Sequence, residues 1–225
     1  MVVKSTIETV FAGGLGLLAP EGQRSGIFKR RVTGRVRVEV DGIVGDEHAD
    51  MRVHGGPEKA VHQYAIENYA RLARAFPQCA QLLVPGSLGE NLSAPGLSEL
   101  NVHIGDVFRI GSTVLQVSQP RSPCWKINHR FGVERMSIHV AQERITGWYY
   151  RVLEPGVIQA GDEFSLLERQ NERFSIDAFW QVQSLHRPCL QDLLALSAVP
   201  GLADDWKQRL SERVKWLQKH LEASG

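Results

Sequence analysis

One cysteine of this chain, Cys124, follows two prolines in the stretch Val117-Ser-Gln-Pro-Arg-Ser-Pro-Cys-Trp-Lys126. The run that leads into it, Val114-Leu-Gln-Val117, alternates in the way that predicts a β-strand. Pro120 and Pro123 fix φ and lack a backbone N–H, so we expect them to end the strand and continue the chain as a stiff, extended loop. The sequence therefore places Cys124 at the end of a loop that leaves a sheet.

The residues around Cys124 could favour its thiolate. The segment 125–131 can be helical, and a helix N-terminus next to Arg121 and Lys126 would stabilise a negative sulfur. A thiolate is either a nucleophile or a ligand for a soft metal. A half-buried structural cysteine is one alternative. A catalytic cysteine–histidine pair is another, although no protease or transferase signature surrounds the cysteine; the available histidines are His54, His62 and His129.

Two further loops carry groups that could bind an anion. The first holds Arg24-Ser25-Gly26 ahead of Ile27-Phe-Lys29, which is either a surface turn or a cradle of backbone amides completed by the lysine. The second, residues 45–60, is dense in titratable side chains and is either a solvated loop or a binding loop. In it, Gly55 and Gly56 would let backbone amides approach a ligand closely, with His54 and Lys59 on either side.

A third loop, Gly86-Ser-Leu-Gly-Glu-Asn-Leu92, places a carboxylate and an amide between glycines and leucines. Glu90 and Asn91 could be ordinary turn residues. They could equally point into a site while the leucines anchor the loop.

Composition limits the classes of function that fit. The 225 residues are 43% hydrophobic, which is enough for one good core, or one core and a small satellite domain. The net charge of +1 favours neither nucleic acid nor a membrane surface as a partner. Three scattered cysteines suit no cysteine-only iron–sulfur cluster, disulfide framework or zinc knuckle. With no apolar run of 18 residues and no signal peptide, we expect a soluble protein in a reducing, cytoplasmic compartment.

The elements that must position these loops are mostly short strands. Glycine and proline turns separate strand-like runs up to Leu167, and an amphipathic helix spans 67–76, so the pattern predicts a mainly β fold with helices, a β-barrel or closed sandwich. A charged linker, 168–173, follows. Three helices are predicted after it, at 175–184, 189–197 and 203–223. We therefore predict a barrel domain over residues 1–168 and a three-helix domain over 171–225, which is small and should dock on the barrel.

Three of these motifs, in order, resemble the MOSC domain, which is named for the C-terminal domain of molybdenum cofactor sulfurase: His54-Gly-Gly-Pro57, Leu88-Gly-Glu-Asn-Leu92 and Val117-Ser-Gln-Pro-Arg-Ser-Pro-Cys124. The similarity covers residues 1–168, and the tail resembles the small three-helix bundle that follows MOSC in YiiM-type bacterial proteins. The resemblance implies a MOSC-type β-barrel that holds molybdopterin-bound molybdenum with Cys124 as a metal ligand. It also implies reduction of N-hydroxylated bases such as 6-hydroxylaminopurine.

The residues are compatible with that cofactor. A soft thiolate suits molybdenum that is already bound by the pterin's dithiolene sulfurs, a phosphate needs amides and cations, and the pterin ring needs planar donors and acceptors. The positions that would bind the cofactor are Ser25, Lys29, His54, Gly55, Gly56, Lys59, Glu90, Asn91, Gln119 and Arg121. Reduction of N–OH also consumes protons, and Asp46 and His54 are both candidates for the catalytic proton donor.

Two other classes of function remain open from the sequence. The protein could be a sulfur carrier or transferase, with a persulfide on Cys124 and no metal. It could also be a carrier that hands molybdopterin onward without catalysing a reaction.

A reductase of this kind would need a separate source of electrons. The chain has no ferredoxin-type run of cysteines, and Gly13-Gly-Leu-Gly16 leads into Pro20 rather than into the helix of a dinucleotide-binding turn. The resemblance implies an NADPH-dependent flavoprotein reductase as donor. The last helix is a candidate docking surface because of its cations: Lys207, Arg209, Arg213, Lys215 and Lys219.

Overall fold

The structure, a computed structural model, describes residues 5–20, 22–51 and 55–222. His54, one of the predicted site residues, lies outside the described residues. The strands are β1 (Thr9–Ala12), β2 (Gly16–Leu18), β3 (Gln23–Ser25), β4 (Arg30–Val32), β5 (Val36–Glu39), β6 (Gly42–Ile43), β7 (Val61–Ala65), β8 (Leu92–Ala94), β9 (Val107–Ile110), β10 (Thr113–Pro120), β11 (Trp148–Glu154), β12 (Gly156–Ile158) and β13 (Ser165–Glu168).

The main sheet of the described chain has eight strands in the order β13-β9-β10-β11-β7-β8-β1-β4 and curls into a half-barrel. Its neighbours pair antiparallel except β7 and β8, which are parallel. Strands β12, β5 and β6 form a second, smaller sheet, and β2 pairs with β3. This arrangement confirms the prediction of a mainly β, MOSC-type barrel fold with helices.

The helices are α1 (Asn68–Ala75), α2 (Lys126–Phe131), α3 (Met136–Gln142), α4 (Ile176–Ser184), α5 (Leu190–Ser197) and α6 (Asp204–Glu222). Short 3₁₀ turns span Pro57–Lys59 and Pro77–Leu82. Ser175 caps α4, since its hydroxyl accepts a hydrogen bond from the Ala178 N–H at 3.1 Å. In the part of the chain that the structure describes, no helix is both long and apolar enough to cross a membrane.

Strand β10 continues further than its prolines suggest. It pairs with β11 as far as Pro120, opposite Trp148, after a register shift between Val117 and Gln119. The sheet tolerates Pro120 because β9 pairs with β10 only through Gln116, so no strand on that side needs an N–H from the proline. The strand therefore runs three residues beyond the predicted run 114–117 and includes Pro120, and the loop begins at Arg121.

Two other strand predictions from the sequence, a strand at 102–106 and a last hairpin formed by 147–153 and 157–167, also need correction. The last segments do not form a hairpin, because β12 pairs with β5 and β13 pairs with β9. The stretch 102–106 is a turn and not a strand: His103 forms an isolated bridge with Ser175, and the Asp106 N–H donates back to the His103 carbonyl. The Ile104 N–H donates to the Phe174 carbonyl and the Ile176 N–H to the Val102 carbonyl. Alternation of apolar residues shows that a run pairs, but it does not identify the partner.

The hydrophobic core is continuous between the sheet and the C-terminal helices. One buried cluster contains Val117 and Trp148 from the sheet together with Phe179, Leu193 and Trp206 from the last three helices. The boundaries at residues 168 and 171 stay a prediction, but the helices share their core with the barrel. A second cluster lies among α1, α2 and α3, close to the loop that carries Cys124.

Candidate functional site

A cleft opens where β10 ends, and several polar side chains converge on it. Its empty volume is about 610 Å³, including space that is open to solvent. Six separate stretches of chain contribute to the walls: 25–29, 48–49, the strand β7, the loop 88–91, the segment 121–126 that follows β10, and the strand β11. The lining residues are Ser25, Gly26, Ile27, Lys29, His48, Ala49, His62, Leu88, Gly89, Asn91, Arg121, Ser122, Cys124, Lys126 and Tyr149.

The cleft gathers five of the residues that the sequence singled out, although they are up to a hundred positions apart in the chain: Ser25, Lys29, Asn91, Arg121 and Cys124. The other predicted residues within the described chain lie outside this lining: Asp46, Gly55, Gly56, Lys59, Glu90 and Gln119. The roles assigned to all of them stay predictions, because position alone does not fix a function.

Cys124 is a free, half-buried thiol on the wall of the cleft. Its carbonyl accepts the Ile127 N–H at 3.1 Å, and α2 begins two residues further on, as the sequence predicted. The helix has only six residues, so its dipole is weak. The cations that face the cleft with this thiol are Lys29, Arg121 and Lys126.

Arg121 is held in place while one of its donors stays unused. Its N–H donates to the Gly147 carbonyl at 3.0 Å, and its Nη2 donates to the Leu88 carbonyl at 3.1 Å. Its Nη1 is buried and has no hydrogen-bond partner among the described residues. The residue is only 7% exposed. Because an unpaired buried guanidinium nitrogen is costly, the side chain is suited to an anion that enters the cleft.

Lys29 and Asp46 form a buried ion pair at the base of the cleft. Their side chains are 3% and 1% exposed, and the Asp46 carboxylate also accepts the Gly13 N–H and the Asn91 Nδ2, each at 2.9 Å. Burial lowers the pKa of Lys29, while the neighbouring charge of Asp46 opposes that shift. Asp46 does not line the cleft, but three residues that contact its carboxylate do: Lys29, Asn91 and His48.

The loop 86–91 forms part of the cleft wall and carries two polar residues that point in different directions. Glu90 is fully buried, and its Oε1 accepts the Gly86 N–H at 2.6 Å and the Tyr69 hydroxyl, while its Oε2 has no partner among the described residues. Burial raises the pKa of this carboxyl. The Asn91 side chain instead faces the cleft, and its Oδ1 accepts the His62 N–H at 3.0 Å. Of this predicted pair, the structure therefore brings only Asn91 to the ligand space.

His62 and Tyr149 line the cleft but were not predicted as cofactor-binding residues. Their rings lie 5.1 Å apart on neighbouring strands. The His62 Nδ1 lies 3.2 Å from the Gly89 carbonyl, so this nitrogen carries the proton of the neutral ring. Burial, and then the charge of Arg121, hold the pKa of His62 well below 6.5. Burial also raises the pKa of Tyr149. The alternation of side chains along β7 could have indicated His62, because it places the His62 side chain on the other face of the strand from its two neighbours.

The remaining predicted residues lie beside the turn Pro57–Lys59. Gly56, at φ 89°, precedes this turn, and the Gln119 Nε2 donates to the Glu58 carbonyl at 3.1 Å. Lys59 is partly buried, which lowers its pKa, and the nearby Asp205 of α6 opposes that shift. In the structure, Lys59 therefore faces the C-terminal helices. No group of three or more His, Cys, Asp or Glu side chains within the described ranges could hold a metal ion.

Comparison with known proteins gives a consistent family. A sequence model of the MOSC domain matches residues 50–165. Protein YiiM of Escherichia coli K12 is 38% identical over 208 residues, which are 90% of this chain and 92% of that protein. A protein named Reductase from Gibberella moniliformis is 41% identical over 153 residues, 68% of this chain and 27% of its own length. The crystal structure of YiiM from Escherichia coli superposes with a TM-score of 0.78 at 30% identity, covering 93% of this chain and 92% of that one.

Proposed function

The chain belongs to the MOSC domain family, and we propose that it is a molybdenum-cofactor-dependent reductase of N-hydroxylated compounds, such as 6-hydroxylaminopurine. The observation that carries the proposal is the meeting of a thiol, Cys124, with Arg121 and Lys29 in one cleft. The printed name of the Gibberella relative, Reductase, supports the class of reaction.

The cleft fits a soft metal on an anionic organic carrier. A thiolate from Cys124 is a good ligand for molybdenum that also carries dithiolene sulfurs. Arg121 offers an unused, buried N–H to an anion, and Ser25 and Lys29 lie on the same wall. Asn91 lines the same surface, but its amide accepts the His62 N–H and donates to the Phe11 carbonyl and to Asp46, so in this proposal it holds the cleft wall in place next to the pterin. In this proposal Cys124 binds the metal, while Arg121, Lys29 and Ser25 hold the anionic end.

The reaction would convert R–NH–OH, two electrons and two protons into R–NH₂ and water. The cofactor, when bound, would supply the redox chemistry of its metal. The protein's own residues would hold the substrate and deliver protons. Of the two proton donors proposed from the sequence, Asp46 does not line the cleft but contacts two titratable side chains that do, Lys29 and His48, whose Nε2 lies 3.8 Å from the Asp46 Oδ2. A proton from Asp46 would therefore reach the ligand through one of these two side chains. His54 lies outside the described residues and remains the alternative.

The electrons would come from a separate flavoprotein reductase that docks on this protein. A cationic side of α6 is the docking surface proposed from the sequence. Some of its charges already have internal partners, since the Arg213 Nη1 donates to the Gln183 carbonyl at 2.7 Å and Arg209 lies 5.4 Å from the centre of the Trp206 ring. Lys215 and Lys219 are exposed cations of this helix for which no internal partner is described, so they are the positions with which to test docking.

Elemental analysis tests the proposed function most directly. The full chain is produced in matched cells with and without a working molybdopterin pathway, and molybdenum, pterin and cyanide-releasable sulfur are measured. We expect molybdenum and pterin to copurify only from the competent cells, and only that sample to reduce 6-hydroxylaminopurine with a chemical electron donor. Cyanide-releasable sulfur on a protein that binds no metal or pterin would instead identify a sulfur carrier. Bound cofactor with no turnover would identify a cofactor carrier.

A further inference from the structure

Gly147 connects the C-terminal helices to the cleft. Its carbonyl accepts the Arg121 N–H at 3.0 Å, and its own N–H donates to the buried Glu99 Oε1 at 2.8 Å. The backbone is tightly confined, at φ 72°, and a Cβ there would lie 2.5 Å from the Gln63 carbonyl oxygen and 3.0 Å from the His62 Nε2. Only glycine therefore fits at this position, directly against the strand that carries His62.

One chain of hydrogen bonds links the C-terminal helices to Gly147 through a buried threonine. The indole N–H of Trp180, on α4, donates to the Thr146 Oγ1 at 2.9 Å. The Thr146 hydroxyl lies 3.0 Å from the Gly147 carbonyl, to which it donates. Thr146 is fully buried, so these contacts are protected from water.

A second chain of hydrogen bonds links the helices to the same glycine through Glu99. The Asp177 N–H, in the first turn of α4, donates to the Glu99 carbonyl at 2.8 Å. The Glu99 carboxylate is then fixed by the Asn68 Nδ2, at 3.0 and 3.1 Å from its two oxygens. Both the N–H and the carbonyl of Gly147 are thus bound to groups that α4 holds.

This geometry distinguishes Trp180 from its aromatic neighbours. It packs edge to face with Phe179 and Trp206, at ring separations of 5.5 and 5.8 Å. Phenylalanine at position 180 would keep most of that packing and lose the N–H. Trp206 belongs to the same aromatic cluster but does not contact Thr146 in any hydrogen bond that the structure describes, so it is a matched control.

We propose that Trp180 is a positioning residue, which fixes the backbone of Arg121 through Thr146 and Gly147 and so holds the guanidinium ready for an anion. The C-terminal helices are then part of the cleft's support rather than an appendage. The hydrogen-bond chain does not depend on the identity of the substrate; its effect on catalysis rests on the proposed function.

Amide hydrogen exchange of Arg121 in the full-length protein tests this inference, together with titration of the cofactor-free protein with inorganic pyrophosphate. Trp180→Phe and Thr146→Val should each accelerate Arg121 exchange by about three- to tenfold, the effect of losing one net hydrogen bond. Pyrophosphate affinity should fall in parallel, while exchange in the distant strand β5 stays unchanged. The double variant should add little to either single variant, because both break the same chain.

Trp206→Phe should leave Arg121 exchange and pyrophosphate affinity within twofold of the parent. Unchanged Arg121 exchange in Trp180→Phe would overturn the inference, as would equal acceleration in Trp206→Phe, which indicates general loosening. These readouts need no molybdenum. A parent protein that lacks reductase activity but shows the expected exchange pattern would overturn the proposed function alone and leave the positioning role in place.

Discussion

At the scale of single residues, two side chains of the cleft carry unused hydrogen-bonding capacity. The Nη1 of Arg121 and the Nε2 of His62 are both buried without partners among the described residues, although their other polar atoms are well bonded. The cost of leaving such atoms unpaired is on the order of 1–3 kcal/mol each. When an anion or a heterocycle binds and completes these hydrogen bonds, the free-energy cost is offset.

Cys124→Ser should abolish reductase activity while the protein stays folded. A serine hydroxyl is a hard, protonated oxygen and a poor ligand for molybdenum, but the cations that we propose to hold the anionic end of the cofactor remain. Activity and bound pterin must therefore be measured separately, and we expect the first to be lost and the second to be retained in part. Cys189→Ser is the control because that thiol is exposed and far from the cleft lining. Full activity in Cys124→Ser would disprove metal ligation by this residue.

His62 should stay neutral through the physiological range. Its pKa in the folded protein lies well below 6.5 because of burial and the charge of Arg121. The folded state thus binds fewer protons than the unfolded state, and this contribution to stability is present above an unfolded pKa of about 6.5 and is lost as pH falls. Ring ¹⁵N spectra should show the Nδ1–H tautomer from about pH 8 to pH 5.5. Titration near pH 6.5 would contradict the prediction, and His62→Gln should flatten the acid side of the stability profile.

The sequence predicted the residues whose chemistry is local and missed those whose role depends on tertiary contacts. Cys124 and Arg121 were identifiable from prolines and charges within one loop. Glu90 was expected to face the pterin, but neighbours in an extended segment point to opposite sides, and it turns toward Tyr69 of α1 while Asn91 faces the cleft. Nothing near Glu90 in the sequence indicates that tyrosine.

At the scale of elements, the boundaries of helices were more predictable from the sequence than the pairing partners of strands. The helix at 176–184 lies within one residue of its predicted start because a capping serine marks it. The strand partners of β12 and β13 were missed, because β5 and β9 are distant in sequence and any alternating strand could pair with them. The extension of β10 through Pro120 depended on where β9 ends, which is again a tertiary fact.

Gly147→Ala should destabilise the protein and impair anion binding. The left-handed backbone conformation costs a non-glycine residue about 1–2 kcal/mol, and a Cβ 2.5 Å from the Gln63 carbonyl oxygen adds a clash with backbone. Gly34→Ala is a matched control, since its φ is 79° but no atom lies within 4 Å of the added Cβ. Chemical denaturation should show a loss for Gly147→Ala that exceeds the Gly34→Ala loss by about 2 kcal/mol or more. Equal losses would show that the cleft wall yields easily at this position.

At the scale of the whole molecule, the C-terminal helices and the barrel are joined by both apolar and polar contacts. Their buried side chains form one cluster, and the Ala203 N–H donates to the Ser118 carbonyl at 2.9 Å on the strand that leads to Cys124. Arg151 of β11 donates to the Gly201 carbonyl at 2.8 Å and forms an ion pair with Glu58. The strands that carry the cleft therefore depend on residues of the tail.

A chain that ends after Arg169 should accordingly fail to fold cooperatively, rather than lose only its response to a protein electron donor. The deletion would uncover the barrel side of the shared core and remove the donors to the Ser118 and Val102 carbonyls and one of the acceptors of Arg151, the Gly201 carbonyl. A chain that ends after Gln218 is the control, because it keeps Leu217, which is 8% exposed and part of that core, while removing Lys219. Thermal unfolding followed by circular dichroism should show a sharp transition for the control and none for the chain that ends at Arg169. A cooperative transition in the shorter chain, with full activity from a chemical donor and loss with the flavoprotein alone, would instead make the helices an independent docking domain.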